Sequence, residues 1–139
     1  MIEILIGLVW GARVTVYLTL VSLPLGFLLA IVMGFGLNTR GPLYYLTSAY
    51  VFFFRGSPLF IQLYFAYFLF RSLGVHRVDT GLFTLDFILG ALVIGPLVFF
   101  FNTTAYSAVI FSNALKAVPR ADLEAAEAFG FSRWQKFRR

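Results

Sequence analysis

The chain has 139 residues, of which 60% are apolar and only 12% are charged, with a formal net charge of +5 at pH 7. Soluble domains carry about 25% charged residues, so this chain lacks the polar surface that a soluble domain needs. It has no cysteine, which excludes disulfide bonds and thiolate metal sites, and we assign no role to its single histidine, His76. Because the basic residues flank apolar segments and form no soluble basic domain, we predict no nucleic-acid partner. We also predict no metal and no cofactor.

The first apolar block covers residues 8–37, and no charged residue lies between Arg13 and Arg40. About 20 apolar helical residues cross a bilayer, so this block is long enough to span. A cleaved signal peptide is the alternative. However, the uncharged run is longer than a signal core, the start carries Glu3 instead of a basic cluster, and no small-x-small cleavage site follows. We therefore predict a membrane span.

Small residues recur along one face of this first helix. At 3.6 residues per turn they project within about 100° of one another. In lipid, small side chains let a second helix approach closely, because packing holds membrane helices together where the hydrophobic effect cannot. We expect a neighbouring helix to pack on this stripe, which consists of Gly11, Thr15, Thr19, Ser22, Gly26 and Ala30.

The second apolar block covers residues 43–73 and is interrupted by Arg55. An arginine at the bilayer centre costs about 2.5–3.5 kcal/mol on insertion scales, so Arg55 is expected to face protein, water or an interface. Ser57 followed by Pro58 resembles a helix N-cap with proline at the first helical position. The cap pattern favours a break, with an aromatic stretch along the membrane interface up to Phe54 and then a span from Pro58 to about Leu73. The alternative is one long helix kinked at Pro58.

The third apolar block covers residues 87–111 and becomes polar in its second half, at Asn102, Thr103 and Tyr106. Asn102 and Tyr106 share one helix face, because they are four residues apart. Uncharged polar groups at this depth usually form hydrogen bonds between helices. The alternative is that they line the path of a solute.

The last segment, 112–139, changes character. After Pro119 it is rich in alanine and glutamate, which favours a short helix that ends at Gly130. Ser132 and Gln135 then match a capping box that opens another helical turn. Basic residues follow, and the positive-inside rule places this segment in the cytoplasm. With three spans before it, the N-terminus is predicted to lie outside.

No pattern of catalytic residues is found. The sequence has no Gly-x-x-x-x-Gly-Lys-Ser/Thr loop for nucleotide phosphates, no His-Glu-x-x-His, no Gly-x-Ser-x-Gly and no paired carboxylates within the apolar blocks. We therefore predict that the chain is not an enzyme and has no nucleotide site of its own. Any uphill transport would draw its energy from a partner.

Two stretches resemble one protein family. Residues 50–62 contain an aromatic run, then Arg55, Gly56, Ser57, Pro58 and a later Gln62. This resembles the motif early in permeases of the polar amino-acid ABC importers, of histidine, glutamine, arginine or opine type. Residues 105–130 resemble the region that ends in that superfamily's cytoplasmic Glu-Ala-Ala loop. The matching residues there are Ala105, Tyr106, Pro119, Glu124, Ala125, Ala126 and Gly130.

The resemblance implies an all-α, polytopic membrane helical bundle in the bacterial plasma (inner) membrane. Three transmembrane helices and a cytoplasmic coupling helix would form the first part of a type I ABC importer transmembrane domain. It implies a separate ABC ATPase, a second permease subunit, a periplasmic or extracellular amino-acid-binding protein and membrane lipid as partners. Glu124, Ala125, Ala126 and Gly130 would dock on the ATPase, and Asn102, Thr103 and Tyr106 would lie near the substrate path.

The sequence also departs from the family. A glutamate and an Arg-Gly pair usually follow Ala105-Tyr106, but here those positions hold Val109, Ser112 and Asn113. Relatives continue into two more spans, so we interpret the sequence as a C-terminally truncated fragment. A small self-contained channel or structural membrane protein is the alternative function. A membrane enzyme would need a carboxylate or histidine cluster at depth, which the sequence lacks.

Overall fold

The computed structural model describes residues 2–73 and 83–138. The regular elements of these residues are all helices, which confirms the predicted all-α class. His76 lies outside the described residues. In chain order the described helices are α1 (Ile2–Gly36), α2 (Pro42–Gly56), α3 (Leu59–Ser72), α4 (Phe83–Ala117), α5 (Arg120–Ala128) and α6 (Arg133–Arg138).

Two of these helices are long and apolar enough to cross a membrane, through Glu3–Gly36 of α1 and Leu92–Ala117 of α4. Helix α3 is apolar but has 14 residues. At 1.5 Å per residue it is about 21 Å long, shorter than the roughly 30 Å core of a bilayer. A third crossing would therefore need α2 and α3 together, and it stays a prediction.

Helices α1 and α4 form the main packing interface, and the small-residue stripe supplies it. Ser22, Gly26 and Ala30 are buried. The Ser22 hydroxyl donates to the Pro96 carbonyl at 3.1 Å, and the Thr104 hydroxyl donates to the Gly26 carbonyl at 3.2 Å. This half of the predicted stripe is confirmed. Toward the N-terminus, Gly11 has no atom within 4 Å of an added Cβ, so the stripe continues beyond the packed region.

Helix α2 joins this pair near the predicted cytoplasmic side. Its Val51 is buried in one cluster with Ala30 of α1 and Ala108 of α4. A Cβ added to Gly36 would lie 2.6 Å from the Thr47 methyl carbon, so only glycine allows this approach. Three helices therefore meet around small side chains, as expected where close packing drives association in lipid.

Pro96 interrupts the hydrogen bonding of α4, because it has no N–H to donate to the Leu92 carbonyl one turn earlier. The Tyr17 hydroxyl of α1 donates to this carbonyl at 3.1 Å. Backbone groups that proline frees inside a membrane need such a partner, since lipid offers none. Tyr17 thus satisfies the one acceptor that the proline leaves open.

The second block is broken, as favoured, but its predicted cap is wrong by one residue. Helix α2 ends at Gly56, Pro58 has an extended backbone with ψ of 136°, and α3 begins at Leu59. The Ser57 hydroxyl donates backward to the Phe53 carbonyl at 2.8 Å and does not cap α3. Hydrogen bonds from the Gln62 side chain of α3 to Phe54 and Ser57 hold this junction in place of the predicted cap.

Candidate functional site

The junction between α2 and α3 is held by Gln62. This side chain is 9% exposed, and its amide nitrogen donates to the Phe54 carbonyl, the Ser57 carbonyl and the Ser57 hydroxyl at 2.8, 2.9 and 2.8 Å. The last carbonyls of a helix have no partner within the helix. Gln62 therefore satisfies the end of α2 from the first turns of α3, and it explains why a glutamine follows the Arg-Gly-Ser-Pro motif.

Asn102 of α4 reaches the same junction. Its amide nitrogen lies 3.3 Å from the Gln62 side-chain oxygen and 3.4 Å from the Phe54 carbonyl oxygen. Gln62 thus uses its nitrogen within the junction and its oxygen toward α4. The motif of the second block and the polar cluster of the third block, predicted separately, meet at this point.

Arg55 and Tyr106 meet one turn further along α4. The guanidinium carbon of Arg55 lies over the Tyr106 ring, 5.2 Å from its centroid, within the range of a cation–π contact. Arg55 is also the basic residue in the last turn of α2, where a cation is favoured by the helix dipole. Both side chains are exposed, Tyr106 by 46%.

Aromatic side chains border this polar group. The Tyr50 hydroxyl donates to the Phe101 carbonyl at 2.7 Å, and the rings of Phe54 and Phe101 stack with centroids 5.5 Å apart. A largely apolar cavity of about 450 Å³ continues from Ser57 and Gln62 between α3 and α4. Sequence reasoning missed Phe101 and Tyr50 as neighbours of the site. The aromatic run of residues 50–54 was the available signal, but it does not reveal its partner.

Thr103 does not join Asn102 and Tyr106. It faces α1, where an added Cβ on Gly26 would lie 3.1 Å from its Cβ. Its side chain helps line a separate cavity of about 260 Å³, together with Thr15, Thr19 and Ser22. Adjacent residues of a helix point about 100° apart, so neighbours in the sequence serve different interfaces here.

Ser112, where the sequence departs from the family, is also buried. Asn38, just after α1, donates to the Ser112 hydroxyl at 3.0 Å, to the Ser112 carbonyl at 3.4 Å and to the Gly34 carbonyl at 2.8 Å. Ser112 is 2% exposed. A large basic side chain would not fit this position without movement, so the departure is matched by a local contact that ties the end of α1 to α4.

The C-terminal segment forms the two predicted short helices. Gly130 has φ of +77°, which favours glycine, and it follows the end of α5. The Phe131 N–H donates to the Ala126 carbonyl at 3.0 Å, and the Gly130 N–H donates to the Glu127 carbonyl at 2.9 Å. This pair of bonds is a Schellman motif, so the predicted glycine cap is confirmed.

The predicted capping box is confirmed as well. The Ser132 N–H donates to the Gln135 side-chain oxygen at 2.8 Å, and the Gln135 N–H donates to the Ser132 hydroxyl at 3.3 Å. Lys136 of α6 pairs with Glu127 of α5. These contacts fix the turn between the two helices.

Helix α5 has an exposed face formed largely by small alanine side chains. Glu124 and Ala125 are exposed and Ala126 is partly buried. At 100° per residue, Ala121, Glu124, Ala125 and Ala128 fall within about 100° of one another. The main packing between described helices involves α1 to α4, so this alanine face is left open at one end of the bundle.

Residues 22–139 match the protein family described as "Binding-protein-dependent transport system inner membrane component". The histidine/lysine/arginine/ornithine transport system permease protein HisM of Salmonella typhimurium is 28% identical, over 92% of this chain and 54% of its own length. The octopine transport system permease protein OccM is 32% identical in Rhizobium radiobacter, over 96% of this chain and 54% of its own length. The OccM protein of Rhizobium meliloti is 33% identical, over 99% of this chain and 54% of its own length.

No solved structure matches the chain. The chain spans about half the length of the relatives it matches. These matches cover the second block and the Glu-Ala-Ala segment together, and they confirm the resemblance that both motifs predicted. The chain belongs to the family of inner-membrane components of binding-protein-dependent transport systems.

Proposed function

We propose that this chain is part of a permease subunit of an ABC importer that moves polar amino acids across the plasma membrane. The observation that carries the proposal is the meeting of Arg55, Gln62, Asn102 and Tyr106 at the α2–α3 junction, in a chain that also contains the open Glu-Ala-Ala helix α5. The relatives named above are permease proteins of amino-acid and opine transport systems. Asn102 and Tyr106 are our candidates for the substrate path.

A separate ABC ATPase supplies the energy in this proposal and binds α5. The small side chains of Ala125 and Ala121 let another protein surface approach the helix backbone closely, and Glu124 adds a charged contact beside them. Gly130 turns the chain back immediately after the helix. A second permease subunit, an amino-acid-binding protein and lipid complete the assembly, since most of the apolar window of α1 is not buried within this chain.

Uptake measurements test this proposal. The protein is expressed together with a candidate ABC ATPase and an amino-acid-binding protein, in cells that lack their own uptake systems. We expect ATP-dependent accumulation of radiolabelled histidine, lysine, arginine, ornithine or octopine. Solute movement that continues without the ATPase would instead indicate a self-contained channel and would refute the proposal.

The topology is tested separately. Three spans place the N-terminus outside and α5 inside, so reporter fusions after residues 40, 78 and 139 should report inside, outside and inside. The reverse pattern would contradict the orientation.

The substrate path is tested by cysteine labelling. The chain has no native cysteine, so single cysteines can be placed at 102, 103 and 106. We expect substrate to reduce labelling at 102 and 106, and we expect 103, which faces α1, to stay unlabelled.

A further inference from the structure

Arg55 carries a charge for which the described residues offer no counter-ion. Among the side chains that the structure describes, none makes a hydrogen bond or ion pair with Arg55, whose contact is the Tyr106 ring. An aromatic face attracts a cation but accepts no ordinary hydrogen bond, so the five N–H donors of the guanidinium stay available. The ring therefore positions the charge and leaves its hydrogen-bonding capacity for another group.

Acidic side chains of the described residues lie far along the chain from Arg55. The acidic side chains that the structure describes occur in the first turn of α1 and in α5, at Glu3, Asp122, Glu124 and Glu127, and one further acidic residue, Asp86, belongs to α4. A cation within an apolar segment is costly unless an anion or water accompanies it. A carboxylate fits the guanidinium best, because its two oxygens match the planar fork of N–H donors.

The neighbouring polar atoms suit the opposite end of an amino acid. The Asn102 side-chain oxygen and the Tyr106 hydroxyl have no hydrogen-bond partner among the described residues, since Asn102 uses its nitrogen for Gln62 and Phe54. Both atoms can accept a hydrogen bond from an ammonium group. Asn102 and Tyr106 are one helical turn apart on the same face. The Arg55 guanidinium can therefore bind the carboxylate of a zwitterionic amino acid, while the neutral acceptors of Asn102 and Tyr106 can bind its ammonium group.

We propose that Arg55, positioned by Tyr106, binds the carboxylate of the transported amino acid, and that the Asn102 side-chain oxygen accepts a hydrogen bond from its ammonium group. This inference rests on the proposed function and assigns one specificity within it. The site selects for a free carboxylate. It offers no acidic side chain among the described residues for a cationic substrate side chain, so discrimination between amino-acid side chains lies elsewhere in the assembly.

The test compares amino acids with the amines that remain when the carboxylate is removed. The pairs are histidine and histamine, arginine and agmatine, and ornithine and putrescine. Binding to the purified complex of permease subunits and ATPase, without the binding protein, is measured by displacement of the radiolabelled amino acid that the wild type takes up fastest. We expect the wild type to prefer the amino acid over its amine by tenfold or more. In Arg55→Gln this preference should fall to about twofold or less.

Matched variants separate positioning from folding. Arg55→Lys keeps the positive charge but loses the planar fork of N–H donors, so it should retain part of the preference for the amino acid over its amine. Tyr106→Phe keeps the ring and should retain most of it, whereas Tyr106→Leu should lose several-fold. Arg71→Gln, in the last turn of α3, is the control and should leave the preference unchanged. Normal assembly of each variant is checked by size-exclusion chromatography.

The outcomes are distinguishable. An undiminished preference in Arg55→Gln, with wild-type uptake, overturns the role of Arg55 and leaves the proposed function standing. A preference that changes between phosphatidylcholine vesicles and vesicles with anionic lipid would assign Arg55 to an anionic lipid headgroup and also overturn it. A wild-type complex that moves none of the amino acids overturns both proposals.

Discussion

Replacing Gln62 tests how the α2–α3 junction is stabilised. Gln62→Met keeps the length and approximate volume of the side chain but removes its three donated hydrogen bonds and the bond it accepts from Asn102. Hydrogen bonds between membrane helices contribute on average about 0.6 kcal/mol each, so four of them contribute about 2 kcal/mol. A buried carbonyl left without a donor adds about 1–3 kcal/mol. We expect the variant to be destabilised by about 3–5 kcal/mol, the sum of these two contributions.

The measurement is the thermal unfolding midpoint of the assembled complex in detergent, followed by fluorescence-detected size-exclusion chromatography. A loss of about 3 kcal/mol corresponds to a decrease in Tm of about 6–12 °C, at about 2–4 °C per kcal/mol for a domain of this size class. The control is Tyr64→Phe, which removes a polar atom from an exposed position on the same helix and should change stability by less than about 0.5 kcal/mol.

Asn102→Leu, alone and combined with Gln62→Met, measures the coupling across the α3–α4 contact. Residues that share a hydrogen bond should show non-additive effects of about 0.5 kcal/mol or more. If Gln62→Met shifts Tm no more than Tyr64→Phe does, or if the two substitutions simply add, the junction is not held by this network and the reasoning fails.

Three further predictions use the same complex. Gly34→Ala should lower the free energy of unfolding by about 1–3 kcal/mol, because the added Cβ would lie 2.9 Å from an α4 side chain. Gly11→Ala is the control, since its Cβ meets no atom within 4 Å. Equal Tm values for the two variants would contradict the observed packing. In Gly130→Ala the alanine must adopt a left-handed backbone, at a cost of about 1–2 kcal/mol. The affinity for the ATPase should therefore fall about 5- to 30-fold. An unchanged affinity would show that the glycine turn is not needed for docking. Tyr17→Phe should lower stability by about 1 kcal/mol, because it leaves the Leu92 carbonyl without a donor. A Tm equal to that of the wild type would contradict this role of Tyr17.

The features that the sequence predicted correctly depend on neighbouring residues. Gly130 ends α5 because a positive φ is tolerated by glycine, and Ser132 and Gln135 find each other three residues apart. The half of the small stripe around Ser22 and Gly26 was also predictable, since helical periodicity places these residues on one face. In each case one turn of helix contains both the cause and its effect.

The predicted cap at Ser57 failed because two contacts within the junction compete with it. The Ser57 hydroxyl donates to the Phe53 carbonyl four residues earlier and accepts a hydrogen bond from the Gln62 side chain five residues later, so it does not cap α3. By contrast, Tyr17 and Leu92 are far apart in the sequence, and no local rule connects a proline in one helix with a tyrosine in another.

The sequence alone determined that this protein is helical, apolar beyond the needs of a soluble domain, and built from segments with defined ends, because composition and short-range periodicity fix those properties. The tertiary structure decided which face of α4 serves which neighbour. It separated Thr103 from Asn102 and brought Arg55 to Tyr106. A one-residue rotation changes direction by about 100°, and only the packing of α1, α2 and α3 around α4 fixes that rotation.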